Sequence, residues 1–257
     1  MLVLKLLLVP LFLAIISLAG KRFGPSIAGW LAGLPVVVGP ILFLLALDNG
    51  SAFVGEAARF TLASVFTVIA YGVAYAWAAR SHAWPLSLLC GFVAWLAAAL
   101  VVASLPITLA GAALLALTSL LAAPWLYPRV VLVESPAPLP AAELLLRMLL
   151  GALLTLAVTT TAQSAGATWS GIVSLAPILT PVISVFMHRH SGGIYAIAML
   201  SALARGLVSL AAFCFVVAWQ LETLGVATTF TLASVVALTL QGITLVLQRR
   251  RLRPASF

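Results

Sequence analysis

Charged side chains are scarce in this chain: they make up 7% of its 257 residues, and only five are Asp or Glu. A soluble domain carries roughly 25% charged residues, with which it covers its surface in water. Hydrophobic residues make up 64% of the chain. The composition therefore excludes a water-soluble globular protein and predicts an all-α, polytopic membrane protein whose solvent is lipid.

Cysteines are also rare, and catalytic motifs are missing. Cys90 and Cys214 lie within apolar runs, whereas a disulfide framework needs several cysteines in an oxidising compartment. His82, His188 and His190 fall in predicted loops, and no Asp or His lies deep in a predicted span. The last two histidines have no cysteine or carboxylate near them in sequence, so we interpret them as a solvated cluster rather than a metal site. We expect no enzyme activity, no cofactor and no metal.

Apolar runs separated by polar and turn-forming residues predict nine transmembrane helices. A helix needs about 20 apolar residues to cross the hydrocarbon core. The predicted spans are residues 4–20, 25–47, 54–79, 83–103, 107–127, 145–162, 167–187, 193–219 and 224–248. The first run also fits a signal peptide, because one lysine precedes an apolar core that small residues follow.

Basic residues predict the orientation, because positive charges favour cytoplasmic loops. With nine spans and the amino terminus outside, Lys5 is the only basic residue of the outside segments. The inside segments hold Lys21, Arg22, Arg80, Arg129, Arg147, Arg189, Arg249, Arg250, Arg251 and Arg253. Membrane orientation thus explains the net charge of +8, and nucleic acid, which requires a continuous basic face, is not an expected partner.

The chain aligns with itself at an offset of 142 residues, so that 4–77 matches 146–219 without a gap. The matched pairs are Lys5 and Arg147, Gly24 and Gly166, Gly29 and Gly171, Pro35 and Pro177, Gly50 and Gly192, and Trp77 and Trp219. The copies are five spans apart, an odd number, which predicts that the second copy is inverted in the membrane. Chance similarity between apolar runs stays open as the alternative. The match of the first run with 145–162 favours a retained helix over a cleaved signal.

The predicted organisation is a 4+1+4 inverted repeat with the carboxyl terminus inside. A first four-helix repeat covers 1–103, a linking transmembrane helix 104–128, and a cytoplasmic linker 129–144. An inverted second four-helix repeat covers 145–248, and a basic cytoplasmic tail covers 249–257.

The second span of each copy carries the most specific pattern, Gly-x4-Gly-x5-Pro followed by another proline. Proline removes a backbone donor and clashes with the preceding turn, so both helices should open near the middle of the membrane. Freed backbone groups survive there only inside protein or beside a watery cavity, and paired broken helices form the substrate site in inverted-repeat transporters. The alternative is that these residues only kink and pack the helices.

Two arginines fall within predicted spans. Arg205 lies near the middle of 193–219, where a charge costs roughly 2.5–3.5 kcal/mol and normally faces a cavity or a partner. Arg59 lies in the matching helix of the first copy, and the two could hold an anion between them. The alternative partner of Arg59 is Glu56, one turn earlier. The predicted substrate-binding residues are Arg205, Arg59, Gly29, Pro35, Pro40, Gly171, Pro177, Pro181, Ser174 and Thr180.

The segment RFGPSIAGWLAGLPVVVGPILFLLALDNG, residues 22–50, resembles a group of uncharacterised bacterial integral membrane proteins. The shared features are an Arg-x-Gly-Pro start, a Gly-Leu-Pro and a following Gly-Pro. Each half also distantly resembles the small four-span GlpM-type proteins, through the glycine-then-proline run from Gly171 to Pro181. The resemblance implies a multi-pass protein of the bacterial cytoplasmic (inner) membrane and implies no activity.

The favoured functional hypothesis is a secondary transporter or flippase-like permease for a small anionic solute or lipid headgroup. Its expected partners are the lipid bilayer and that small-molecule or lipid substrate, and a homodimer is one candidate for the oligomeric state, which the sequence leaves open. The alternative is a non-transporting scaffold or assembly partner of an envelope complex. A passive channel would need a continuous polar stripe, which only 145–162 and its continuation offer.

Overall fold

A computed structural model describes residues 2–131, 141–162, 172 and 179–252 of the chain. Each secondary-structure element in these ranges is an α-helix. The helices are α1 (Leu2–Phe23), α2 (Pro25–Ala32), α3 (Val38–Asn49), α4 (Ser51–Ala63), α5 (Val65–Ala78), α6 (Trp84–Ser104), α7 (Leu109–Leu126), α8 (Ala141–Ala162), α9 (Leu179–Ser191), α10 (Gly193–Leu224) and α11 (Val226–Leu252). The predicted all-α class is confirmed for this part of the chain.

Within the described ranges, five helical stretches are long and apolar enough to cross a membrane. They are Ser51–Ala78, Trp84–Ser104, Leu109–Leu126, Gly193–Leu224 and Val226–Val246. These stretches suggest a membrane protein, in agreement with the composition. The count of nine spans and their orientation stay predictions.

Burial separates central from peripheral helices. The most apolar windows of Ser51–Ala78 and Gly193–Leu224 are both 72% buried inside the protein. The corresponding windows of α6, α7 and α11 are 28%, 22% and 28% buried. The α4–α5 pair and α10 therefore form the centre, whereas the three other helices turn most of their apolar surface outward, as lipid-facing helices do.

The helix ends recur at the offset of 142 residues. Helix α4 begins at Ser51 and α10 at Gly193, and α6 begins at Trp84 and α11 at Val226. In the same way, α3 ends at Asn49 and α9 at Ser191. The two halves of the chain therefore begin and end these helices at equivalent positions.

The two turns that precede α4 and α10 also have the same backbone conformation. Gly50 has φ 83° and ψ 170°, and its equivalent Gly192 has φ 98° and ψ 167°. Residues other than glycine rarely adopt such angles, because a Cβ would clash. This is the physical reason why both turns carry glycine, and it explains one of the matches seen in the sequence.

Contacts between helices give their relative directions. Arg147 of α8 donates a hydrogen bond to Ser17 of α1, and Gly151, one turn later, packs against Leu13, one turn earlier. Residue numbers thus rise in one helix as they fall in the other. Helix α1 and its equivalent α8 are therefore antiparallel.

Helix α2 runs parallel to α10 but antiparallel to α11. Gly29 packs on Met199 and Gly33 on Gly206, so the numbers rise together along α2 and α10. Trp30 bonds to Thr244, whereas the ring of Phe43, more than ten residues later, packs against Phe230. The numbers therefore fall along α11 as they rise along α2 and α3.

The central helix of the first half contains a turn that the sequence did not predict. Residues 54–79 were expected to form one span, and the structure divides this region at Ser64, between α4 and α5. The hydroxyl of Ser64 donates to the carbonyl oxygen of Phe60 at 2.7 Å. Serine that bonds back to its own helix in this way bends the helix. Its equivalent, Gly206, lies within the uninterrupted α10.

Candidate functional site

The second predicted span is interrupted in its middle. Helix α2 ends at Ala32, α3 begins at Val38, and Pro35 lies between them. Proline has no backbone N–H and cannot continue the hydrogen-bond ladder of the helix. The interruption predicted from Pro35 is confirmed. Helical bonding resumes when the Gly39 N–H donates to the Pro35 carbonyl at 2.8 Å.

Side chains from two other helices reach the carbonyl groups at this interruption. Gln241 of α11, 3% exposed, donates from Nε2 to the Trp30 carbonyl oxygen at 2.8 Å. The hydroxyl of Ser209 on α10 lies 3.4 Å from the Gly33 carbonyl oxygen and 2.9 Å from that of Gly206. An unsatisfied backbone group in lipid costs several kcal/mol. The interruption is therefore stabilised by donors that come from the other half of the chain.

The Trp30 side chain completes a reciprocal contact between α2 and α11. Its indole Nε1 donates to the Thr244 hydroxyl at 3.0 Å, while its backbone carbonyl accepts from Gln241. The Oε1 atom of Gln241 is buried and has no hydrogen-bond partner. Trp30 is thus the donor in one of these bonds and the acceptor in the other, and the two bonds fix the last turn of α2 against α11.

Glycines allow α2 to approach α10 closely. A Cβ atom at Gly29 would lie 2.0 Å from the Met199 carbonyl oxygen, and one at Gly33 would lie 2.5 Å from the Gly206 Cα. No other residue fits at such distances, because backbone atoms cannot move aside. Gly29 was predicted as a site residue, and its role here is helix packing of the small-xxx-small kind. Gly206 was not predicted, although Ala202 and Gly206 have the same four-residue spacing of small residues.

A cavity of about 500 Å³ lies beside the interruption, between α3, α10 and α11. It is lined by Leu34, Pro35, Val36, Gly39, Pro40, Phe43, Phe213, Phe230, Ser234, Ala237 and Leu238. Both predicted prolines of the first half thus face one space. The lining is apolar except for Ser234, whose hydroxyl donates to the Phe230 carbonyl oxygen at 2.7 Å. This lining differs from the polar pocket that the sequence predicts.

The two arginines do not line this cavity. Arg59 lies 3.5 Å from the Glu56 carboxylate, and both side chains are partly exposed, by 33% and 44%. This is the alternative partner that the sequence suggested. Arg205 is exposed, although Ala204 and Gly206 on either side of it are buried. It therefore lies on an outward face of the otherwise central helix α10.

The predicted site residues of the second half are described only in part. Gly171, Ser174 and Pro177 lie outside the described residues. Thr180 and Pro181 lie in the first turn of α9 and are buried. The interruption predicted in this half stays a prediction.

A buried polar network joins α5 to α9. Tyr71 shares a hydrogen bond with the Ser184 hydroxyl at 3.3 Å, and the Tyr75 hydroxyl donates to the Ser184 carbonyl oxygen at 3.3 Å. Tyr75 also lies 3.2 Å from Nδ1 of His188. Because residue numbers rise together along both helices in these contacts, α5 and α9 are parallel.

His188 was predicted as part of a solvated loop cluster, and the structure corrects this. It lies in the last turn of α9, just beyond the predicted span, and is half-buried. Burial lowers the pKa of His188 from its usual value, because desolvation disfavours the imidazolium. A neutral imidazole is therefore the form that the network with Tyr75 holds at neutral pH.

A charged cluster joins α8 to α9 and α1. Arg147 is 3% exposed, forms an ion pair with Glu143 and donates to the Ser17 hydroxyl at 3.1 Å. The other Glu143 carboxylate oxygen lies 3.1 Å from Nδ1 of His190. The Arg147 guanidinium also lies 5.1 Å from the centre of the Phe186 ring. The contact between Glu143 and His190 could not be predicted from sequence spacing, because the two residues are far apart along the chain.

The described ranges contain no group of three or more His, Cys, Asp or Glu side chains placed to hold a metal ion. The cluster of Glu143 and His190 is completed by Arg147. A guanidinium repels a metal cation, so this cluster suits a structural role.

Comparison of the chain with protein-family models, curated proteins and solved structures found no match. The resemblance to GlpM-type proteins stays a prediction.

Proposed function

We propose that the protein is a secondary transporter or flippase-like permease of the bacterial cytoplasmic membrane, with its substrate site at interrupted helices. The observation that carries this proposal is the interruption between α2 and α3. It lies mid-span, its carbonyls bond to side chains of α10 and α11, and a cavity lies beside it. Non-helical backbone within a membrane is typical of protein-lined cavities in transporters.

The inverted repeat is part of the proposal, and the equivalent helix ends support it. The turns at Gly50 and Gly192 agree in conformation. Equivalent residues also contact the opposite half: Tyr71 of the first half bonds to Ser184 of the second. Its equivalent Phe213, of the second half, packs on Gly39 of the first. A pseudo-two-fold axis would bring equivalent residues against the opposite half in this way.

The relative helix directions support inversion as well. Equivalent helices related by an axis in the membrane plane run in opposite directions, and α1 and α8 are antiparallel. Helix α2 is parallel to α10 and antiparallel to α11, as alternating spans require for the second, eighth and ninth crossings. These relative directions agree with nine alternating spans, and the proposed sidedness, with the amino terminus outside and the carboxyl terminus inside, rests on the basic residues.

The proposed substrate carries an anionic group, and Arg205 is the residue that would attract it. Arg59, the other predicted arginine, forms an ion pair with Glu56. Arg205 lies in the middle of the central helix α10. A charge at this depth of a membrane protein is typical of substrate pathways.

The test is transport in proteoliposomes. We expect Arg205→Ala to lower uptake of a small anion, or movement of an anionic lipid between leaflets, by about tenfold, since one lost charge contact is worth roughly 1.4 kcal/mol. Arg205→Lys should retain most of the activity, and Arg189→Ala, at an exposed arginine near the end of α9, serves as the matched control. Equal rates for wild type and Arg205→Ala with every anion would contradict the anionic site.

A scaffold role is the second candidate, favoured by the close glycine packing of α2 on α10. Such packing suits a rigid assembly partner of an envelope complex. A scaffold would move neither solute nor lipid in the same vesicles, and it would co-purify with a partner protein after crosslinking in membranes. Transport by the purified protein alone would exclude this role as its only function.

A further inference from the structure

The cavity beside the interruption has the chemistry of a hydrocarbon-binding site. Its lining contains no charged side chain, and an unpaired charge in an apolar site costs several kcal/mol or more. The hydroxyl of Ser234 is bonded to its own helix, and the Trp30 carbonyl to Gln241. A polar headgroup would therefore find few hydrogen-bond partners in this space, whereas an apolar chain needs none.

The cavity is continuous with the outward surface of α11. Leu238, on its edge, is 65% exposed, and Val235, on the same helix, is 56% exposed. In a membrane, lipid chains surround such an exposed apolar surface. A volume of about 500 Å³ falls within the usual range of ligand pockets, roughly 300–1,000 Å³. A chain can thus enter sideways from the bilayer without crossing water.

Small residues keep this space open at positions where the other half has aromatic rings. Ser234 and Ala237 of α11 line the cavity, and their equivalents in α6 at the same offset are Phe92 and Trp95. Phe92 packs edge-on against Tyr71 and Trp95, with ring centres 5.7 and 6.5 Å apart. These two positions of the cavity lining therefore differ in size between the two halves of the chain.

We propose that this cavity binds one hydrocarbon chain of a membrane lipid, so that the substrate of the permease is a lipid rather than a soluble anion. This inference about the substrate rests on the proposed function. In it, the chain occupies the space beside Pro35 and Pro40 at mid-membrane depth, and the anionic headgroup lies elsewhere along the path.

The test uses the full protein in nanodiscs that contain phosphatidylglycerol with a diazirine near the end of one acyl chain. After illumination, mass spectrometry should find the label on peptides that contain Phe43 or Phe213. A probe with the diazirine on its headgroup should not label these peptides. Equal labelling by the two probes would overturn the inference.

Ser234→Phe introduces the aromatic residue of the equivalent position and should lower labelling of these peptides by about tenfold or more, because a ring fills the space that the chain needs. Ser234 is exposed, so this variant should fold, and its melting temperature is measured alongside. Thr118→Phe, in the groove between α5 and α7, is the matched control and should leave labelling unchanged. In the wild type, dodecane should compete with the lipid chain and lower the labelling of the same peptides, which tests the site without a variant.

The outcomes separate this inference from the proposed function. Labelling that depends on Ser234, in vesicles that move neither lipid nor anion, supports the chain site and counts against the permease. Equal labelling of Ser234→Phe and wild type, together with unchanged uptake of a soluble anion, overturns the chain site and leaves the permease standing.

Discussion

Arg147 shows how one buried charge is accommodated at the residue scale. Its guanidinium is almost fully enclosed and is surrounded by a carboxylate, a hydroxyl and an aromatic ring. The Nε atom of the same side chain is buried without a hydrogen-bond partner. Glu143 therefore supplies the only negative charge among the contacts described for Arg147, and it also lies against His190. Removing this carboxylate leaves a buried cation without compensation.

We expect Glu143→Gln to lower the free energy of unfolding by about 3–5 kcal/mol, the usual cost of breaking a buried ion pair from one side. Thermal melting of the purified protein in detergent measures the effect. Glu222→Gln, at an exposed position of α10, is the control and should melt like the wild type. The double variant Glu143→Gln with Arg147→Met should recover most of the loss, because no buried charge remains. A double variant less stable than Glu143→Gln would contradict this account.

At the scale of elements, the contact between α2 and α10 depends on the absence of side chains. A Cβ atom at Gly206 would lie 2.3 Å from the Trp30 carbonyl oxygen, the same atom that Gln241 bonds. A methyl group there would push α2 away from α10 and disturb the interruption. The glycines are therefore required for close approach rather than for flexibility.

Gly206→Ala should destabilise the protein by about 1–3 kcal/mol, the typical cost of overpacking, as measured by thermal melting. Gly55→Ala is the matched control, since nothing lies within 4 Å of the Cβ position there. The control should be neutral or gain up to about 1 kcal/mol from the better helix propensity of alanine. Similar melting temperatures for the two variants would show that α2 and α10 are not tightly packed.

The same elements show what the sequence could and could not predict. The two prolines Pro35 and Pro40 predicted the interruption between α2 and α3, although the single prolines Pro10 and Pro124 lie within unbroken helices. The bend at Ser64 had no such signal, because hydroxyl side chains that bond back to their own helix also occur in uninterrupted helices, as Thr118 does in α7. The donors at the interruption, Gln241 and Ser209, follow from tertiary packing. Periodicity reports neither which distant residue meets which carbonyl nor that the cavity beside the interruption is lined by apolar side chains.

At the scale of the whole molecule, the proposed inverted repeat relates the two halves of the chain by one axis. Each half contributes a helix to the centre, α4–α5 from the first and α10 from the second. The halves differ where the first half bends and the second half does not. An inverted repeat requires equivalent positions to face opposite sides of the membrane, so the sidedness of such a pair tests it.

Asn49 and Ser191 are equivalent residues at the ends of α3 and α9, and inversion predicts that they face opposite sides of the membrane. In a protein with Cys90 and Cys214 replaced by alanine, Asn49→Cys should react with an impermeant maleimide added outside spheroplasts. Ser191→Cys should react only after the membrane is opened. Modification of both from the same side would contradict inversion and, with it, the predicted 4+1+4 arrangement.

The donors that stabilise the interruption of the second span come late in the chain. Gln241 follows Trp30 by 211 residues, and Ser209 follows Gly33 by 176. When the ribosome has delivered α2 and α3 to the membrane, neither donor has yet been synthesised. Until then the interrupted span has only its local bonds, such as that from the Gly33 N–H to the Trp30 carbonyl oxygen at 3.3 Å. The hydrogen bonds of the interruption are therefore complete only when the last two helices have been synthesised.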